Sequence, residues 1–151
     1  MPVLIAVLLP QVLRRAFPNE YQYRYLLYAA CGLFFVSWYL PSFLIDGQDT
    51  SFVTHFIGGG VFTGFLWVYL KKSLNWKSQW FIEAFSLFAL VSALGCINEL
   101  AELILVRTHV ATILLSDTSW DIVANTAGAG IVFVFYTVYK TLSAGFYDRR
   151  R

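Results

Sequence analysis

Trp80 to Val106 reads WFIEAFSLFALVSALGCINELAELILV. The stretch is apolar almost throughout and exceeds the roughly 20 residues a helix needs to cross a bilayer. Near its end it carries Glu99 and Glu102. Each ionisable side chain inside an apolar span costs about 2.5–3.5 kcal/mol on insertion scales, and survives where it pairs, binds a cation or lines a polar cavity. This one segment therefore predicts a membrane helix and a polar site within it.

The rest of the chain agrees with a membrane setting. Of 151 residues, 58% are hydrophobic and 13% charged, where a soluble domain carries about 25% charged residues. Mean hydropathy is +0.63. Four runs are long enough to cross, at about residues 25–45, 52–70, 80–106 and 120–142, and the links between them are short. Asp46-Gly47-Gln48-Asp49-Thr50 reads as a turn. Residues 1–13 are apolar but too short to span, and Arg14 and Arg15 follow the apolar run, whereas a signal peptide has its positive charges first. A short helix at the membrane interface is the expectation there. The fold class is all-α: one polytopic bundle over residues 1–151, with four transmembrane helices and that N-terminal helix. Cys31 and Cys96 fall in different runs and on opposite halves of the bilayer, so two buried thiols without a disulfide are expected.

Lys and Arg set the orientation. Arg14, Arg15 and Arg24 precede the first run, Lys71, Lys72 and Lys77 join the second to the third, and Lys140 and Arg149 to Arg151 end the chain. The first link has no basic residue and the third only Arg107. Both termini are thus expected on the cytoplasmic side of a cell membrane, with links one and three outside. Basic residues grouped between apolar runs are a topology pattern, which argues against nucleic acid as a partner. Glu83 and Lys140 then fall near the inner surface, as snorkelling or interfacial groups.

With that topology, polar residues of three helices reach one level near the outer surface. His55 lies about one turn inside the second run, Glu102 and Glu99 about one and two turns inside the third, and Asp121 and Asn125 in the first two turns of the fourth. Asp117 precedes them in the loop. Glu99 and Glu102 stand at i and i+3, and Asp121, Asn125 and Gly128 at i, i+4 and i+7, each set on one face. So many carboxylates in a low dielectric need protonation or a cation. Glu99, Glu102, Asp121 and His55 make an oxygen-rich set with one imidazole, suited to Mg, Mn, Ca or Zn. Gly60 with Gly64, and Ala124 with Gly128, are small-xxx-small pairs that let helices approach closely. The glycine run beside His55 leaves room for a polar cavity or a bent helix. Plainer readings exist for single residues: a loop or cap role for Asp117, pairing of Glu102 with Arg107, and Asn98 and Asn125 as interhelical hydrogen bonds.

Asp117-Thr118-x-x-Asp121-x-x-x-Asn125-x-x-Gly128 resembles the last-helix signature of VanZ-like integral membrane proteins. Cys96-Ile97-Asn98-Glu99-Leu100-Ala101-Glu102 resembles the glutamate-bearing helix before it, in that group and in its YjdF-like relatives. Thr54-His55-Phe56-Ile57-Gly58-Gly59 is similar to the start of an earlier helix in the latter. The resemblance covers about residues 52–134. This chain lacks the Arg often found in the loop before the Asp; Arg107 is ten residues away. The resemblance implies a small multi-helix membrane protein, linked by the family name to glycopeptide resistance, with His55, Glu99, Glu102, Asp117, Asp121, Asn125 and Gly128 as its marked positions. It supplies no reaction.

Three functions fit these residues. One is an enzyme or binding protein acting on an envelope lipid or lipid-linked phosphate through a metal at the acidic cluster. Another is a small proton-coupled transporter, for which the inner half offers few polar groups. The third is a structural subunit of a homo-oligomer or larger membrane complex, with the cluster as glue. A lipid kinase of the diacylglycerol-kinase type fits poorly, because its site would face the cytoplasm.

Overall fold

The computed structural model describes residues 2–17, 20–45, 48–49, 51–110 and 118–148. The elements are α1 (Pro2–Leu13), a 3-10 turn (Glu20–Tyr23), α2 (Arg24–Ser37), a two-rung antiparallel pair β1 (Leu44–Ile45) and β2 (Gln48–Asp49), α3 (Phe52–Thr54), a π-helical segment (His55–Val61), α4 (Phe62–Ser73), α5 (Trp80–Arg107) and α6 (Thr118–Asp148). Elements α3, π and α4 run on as one rod, Phe52–Ser73. Among the described residues, three helices are long and apolar enough to cross a membrane: Phe52–Ser73, Trp80–Arg107 and Ser119–Ser143.

The first apolar run behaves differently from the expected 25–45 span. Its helix stops at Ser37. Pro41 lies four residues on, cannot donate an N–H, and pushes Leu40 out of the helical region. The chain leaves through a turn at Trp38 to Leu40 and closes on Leu44 opposite Asp49 and Ile45 opposite Gln48; of the turn expected at residues 46–50, Asp46, Gly47 and Thr50 lie outside the described residues. By contrast α4 and α5 end on hydrogen-bonded caps. Asn75 (φ 49°) and His109 (φ 57°) take the left-handed conformation. After α4, Trp76 N–H donates to Lys71 O and Asn75 N–H to Lys72 O; after α5, Val110 N–H donates to Leu105 O and His109 N–H to Val106 O. Both are Schellman ends, which satisfy carbonyls the last turn leaves over.

The rod is the centre of the molecule. One side of α4 presents Phe62, Leu66 and Tyr69 to Leu27 and Ala30 of α2. Its other side presents Trp67 and Val68 to Leu87 and Val91 of α5 and Ala129 of α6. Half of the rod's apolar window is buried, against 17% in α5 and 22% in α6. The latter two helices turn Phe85, Phe88, Ile104, Phe135 and Leu142 outward. Apolar side chains on the outside of a compact bundle are what a lipid surround calls for. Helix α1 packs along α2, with Ile5, Ala6, Leu9 and Leu13 against the first core cluster; at 12 residues it is too short to cross.

The glycine run fixes how closely neighbours approach. A Cβ on Gly60 would lie 2.8 Å from Gly128 Cα, and one on Gly58 would lie 2.6 Å from Ser37 Oγ. The rod thus meets α6 at Gly60 and α2 at Gly58, backbone to backbone on the α6 side. Gly64 lies against Val132, so Gly60, Gly64 and Gly128 sit at close approaches, and Ala124, the fourth small residue singled out for packing, is fully buried.

At the end where α4 finishes, two buried ion clusters tie the helices together. Glu20 (1% exposed) accepts from Arg24 Nε and Nη2 and from Tyr69 Oη at 2.5 Å. Glu83 accepts from Lys71 Nζ at 2.7 Å and Lys140 Nζ at 3.0 Å. Lys140 is half exposed, consistent with snorkelling, but Glu83 and Lys71 are buried. Glu83 thus does not snorkel into solvent: it is the shared counter-ion of three helices. The cysteines form no disulfide, as expected, but Cys96 is exposed on the outer face of α5 rather than buried.

Candidate functional site

At the opposite end, α5 and α6 bring their acids together. Glu99 and Glu102, one helical turn apart, and Asp121, in the first turns of α6, each offer a carboxylate oxygen, and these lie within 4.8 Å of one another. Asp121 is buried and the two glutamates are half-buried. The i, i+3 spacing put the glutamates on one face; the packing of α5 on α6 aims that face at Asp121. Such a group is able to hold a metal ion. Three carboxylate oxygens are hard ligands that suit Mg, Ca or Mn, with Zn also accommodated.

His55 does not join that group directly. Its Nε2 lies 3.2 Å from Asp121 Oδ1, a partner placed to fix that carboxylate's orientation. Its position follows from the π-helical segment, which begins at His55 and ends at Val61. Phe62 N–H reaches back to Ile57 O, the wider register of a π-turn. Thr63 Oγ1 donates to Gly59 O at 2.6 Å, serving a carbonyl within the widened turn. Phe52 stacks on Phe56 and meets Trp120 edge-on at 6.4 Å, clasping the start of the rod to the start of α6.

Asn125 is 7% exposed, and its Oδ1 is buried without a hydrogen-bond partner among the described residues. It rests on Gly59, where any Cβ would overlap that oxygen. A buried amide oxygen left open is costly, of the order of 1–3 kcal/mol, and asks for a cation or a donor. Asn125, His55 and Glu102 line a cavity of about 300 Å³ that runs in between α2, the rod and α5. Glu102 accepts from Asn98 Nδ2 at 2.6 Å. That bond lies within α5, so Asn98 is not the interhelical link considered for it, and Glu102 takes its partner here rather than from Arg107. Asp117 lies outside the described residues. His109 follows α5 in an exposed position.

The buried groups Glu20 and Glu83 escaped sequence reasoning. Glu20 and Arg24 stand four apart, the spacing of a helical ion pair, but Arg24 also reads as a topology marker. For Glu83 no local signal exists, because its partners are 12 and 57 residues away.

No family model, no curated protein and no solved structure matches this chain.

Proposed function

We propose that this chain is a VanZ-like, multi-pass protein of the cell membrane that holds a divalent cation on Glu99, Glu102 and Asp121 and uses it to engage an envelope lipid or lipid-linked phosphate. The observation that carries the reading is the convergence of three carboxylate oxygens, from two helices, within 4.8 Å. The open Asn125 Oδ1, one helical turn along α6 from Asp121 and in the cavity that Glu102 also lines, is a further oxygen without a partner among the described residues. His55 orients Asp121. A bound cation would polarise a phosphoryl oxygen or activate a water. Four crossings are part of this reading. Helix α2 runs from the level of Tyr69, which donates to Glu20, to that of Thr54, whose Oγ1 donates to Ser37 O. At 1.5 Å per residue its 14 residues cover about 21 Å, and the irregular stretch after Pro41 completes the passage. The basic links then set the acidic end outside.

The test is a metal titration of the protein purified in detergent and stripped with a chelator. Mn binding should appear with one ion per chain and weaken by about a hundredfold or more in Glu99→Gln/Glu102→Gln, since each lost ligand is worth at least an outer-shell partner, about 10–100-fold. A stripped protein that takes up no ion, with its melting temperature unmoved by Mn, sinks the reading. The second reading, an accessory subunit with the cluster as glue, is favoured by one observation: His55–Asp121 joins the rod directly to α6. It predicts instead that Glu99→Gln disturbs assembly while ion binding was never present.

A further inference from the structure

The 300 Å³ cavity has two unlike ends. One is the acceptor-rich pole of Glu102, Asn125 and His55. The other is walled by Phe34, Phe62, Val91 and Leu94; the cavity lining also includes Trp38 and Ile97, which are 69% and 42% exposed. A cavity whose lining includes exposed apolar side chains opens sideways, onto the surface that faces lipid. The packing of the bundle leaves this opening. Helix α2 packs on the rod and α1; α5 packs on the rod and α6; neither α1 nor α2 is a principal neighbour of α5 among the described residues. Gly95 widens the gap. A Cβ there would meet nothing nearer than Asn125 Nδ2, at 4.0 Å, so α5 withdraws its side chain where the polar pole begins.

We infer that this cavity seats a single hydrocarbon chain of a phosphate-headed lipid that enters laterally between α2 and α5, with its phosphate drawn to the cation pole. The inference rests on the cation site proposed above and adds the chain subsite and the route. Its occupant follows from shape and charge. The volume lies at the low end of the roughly 300–1,000 Å³ of ligand pockets, which favours the proximal part of one chain over paired tails. The acidic pole repels a bare phosphate and accepts it once a divalent ion intervenes, so head and ion bind together. The aromatic wall at Phe34, Trp38 and Phe62 matches a slender apolar chain.

The experiment uses the full chain in nanodiscs, a photoactivatable dodecyl phosphate, and Mn titration of the same samples. In the wild type, labelling should fall on the α2 and α5 segments around Phe34–Trp38 and Val91–Ala101, and should rise with Mn. Gly95→Phe, which fills the cavity from a position with room for a side chain, should cut that labelling by about tenfold, equivalent to 1.4 kcal/mol; Mn affinity is measured on the same variant, because its Cβ lies 4.0 Å from Asn125 Nδ2. Ala101→Trp, at an exposed position on the rim, should act the same way and guards against a misfolded Gly95 variant. Inorganic phosphate should not displace the probe; if it does, the chain contributes nothing and the inference falls. Labelling elsewhere, or undiminished in both variants with Mn binding intact, overturns the chain subsite alone. Absence of Mn binding in the wild type overturns the cation reading; the chain subsite then stands or falls on whether metal-free labelling at these two segments is lost in Gly95→Phe.

Discussion

At the scale of single residues, the acids were legible and their supports were not. Glu99 and Glu102 announce themselves because charge inside an apolar run is costly and their spacing shares a face. What they face depends on Asp121, and its partner His55 is placed by a π-helical turn that no local pattern specifies; the glycine run hinted only at a bend or cavity, and His55 was expected as a ligand beside the acids rather than as the partner of Asp121. Gly59 shows the dependence most sharply, since Asn125 Oδ1 occupies the space of its missing Cβ. Gly59→Ala should rotate Asn125 out of place, weakening Mn binding by about tenfold while the bundle stays folded, because a side chain can yield. At Gly60 the added methyl meets backbone atoms of Gly128 and Ala129, which cannot yield without moving α6. Gly60→Ala should therefore cost stability, about 1–3 kcal/mol as for other overpacked sites, read as a lowered melting temperature. Metal titration beside thermal melts separates the two. Glu20 offers a pH test outside the membrane spans. The Arg24 guanidinium holds its carboxyl below the usual 4.5. A depressed acid stabilises the fold fully above that usual value, and the contribution drains away as pH falls through the folded-state value. Glu20→Gln should flatten this acid limb of the melting curve; an unchanged limb removes Glu20 from the latch.

At the scale of elements, hydropathy found the rod, α5 and α6 nearly to their ends, because long apolar runs leave little choice in lipid. It misjudged the first run, where counting apolar residues overlooks Pro41 and lets a helix continue that cannot. It read Glu83 only as a group near the inner membrane surface, since the lysines that neutralise it come from other helices. That triad makes an element-scale prediction. Glu83→Gln leaves Lys71 buried and unpaired among Trp67 and Trp76, and breaking one partner of a buried pair costs about 3–5 kcal/mol. Lys140→Ala removes the half-exposed member, and exposed pairs contribute about 0–1 kcal/mol. Melting in detergent should thus drop steeply for the first and barely for the second. Similar losses for both would mean that Lys140, not Lys71, anchors the three helices.

At the scale of the whole molecule, the polar groups divide between two ends. Arg24, Glu20 and Tyr69, with Lys71, Glu83 and Lys140, gather where α4 ends and α5 begins. Lys72 lies over the Tyr23 ring there, at 5.6 Å. The three carboxylates Glu99, Glu102 and Asp121 gather where α5 ends and α6 begins. The segregation arises from packing, yet it coincides with the division that the Lys and Arg count draws from sequence. Positive charge is retained on the cytoplasmic side during insertion, so the acid end should face outward, where an envelope lipid phosphate would be met. Single cysteines test this in a Cys31→Ser/Cys96→Ser background. Thr108→Cys and Lys77→Cys sit at exposed positions on the two ends. A membrane-impermeant maleimide added to intact cells should modify the first and reach the second only after permeabilisation. The reverse pattern would put the acids beside cytoplasmic nucleotides and would turn the search from envelope lipids towards a phosphoryl donor inside the cell.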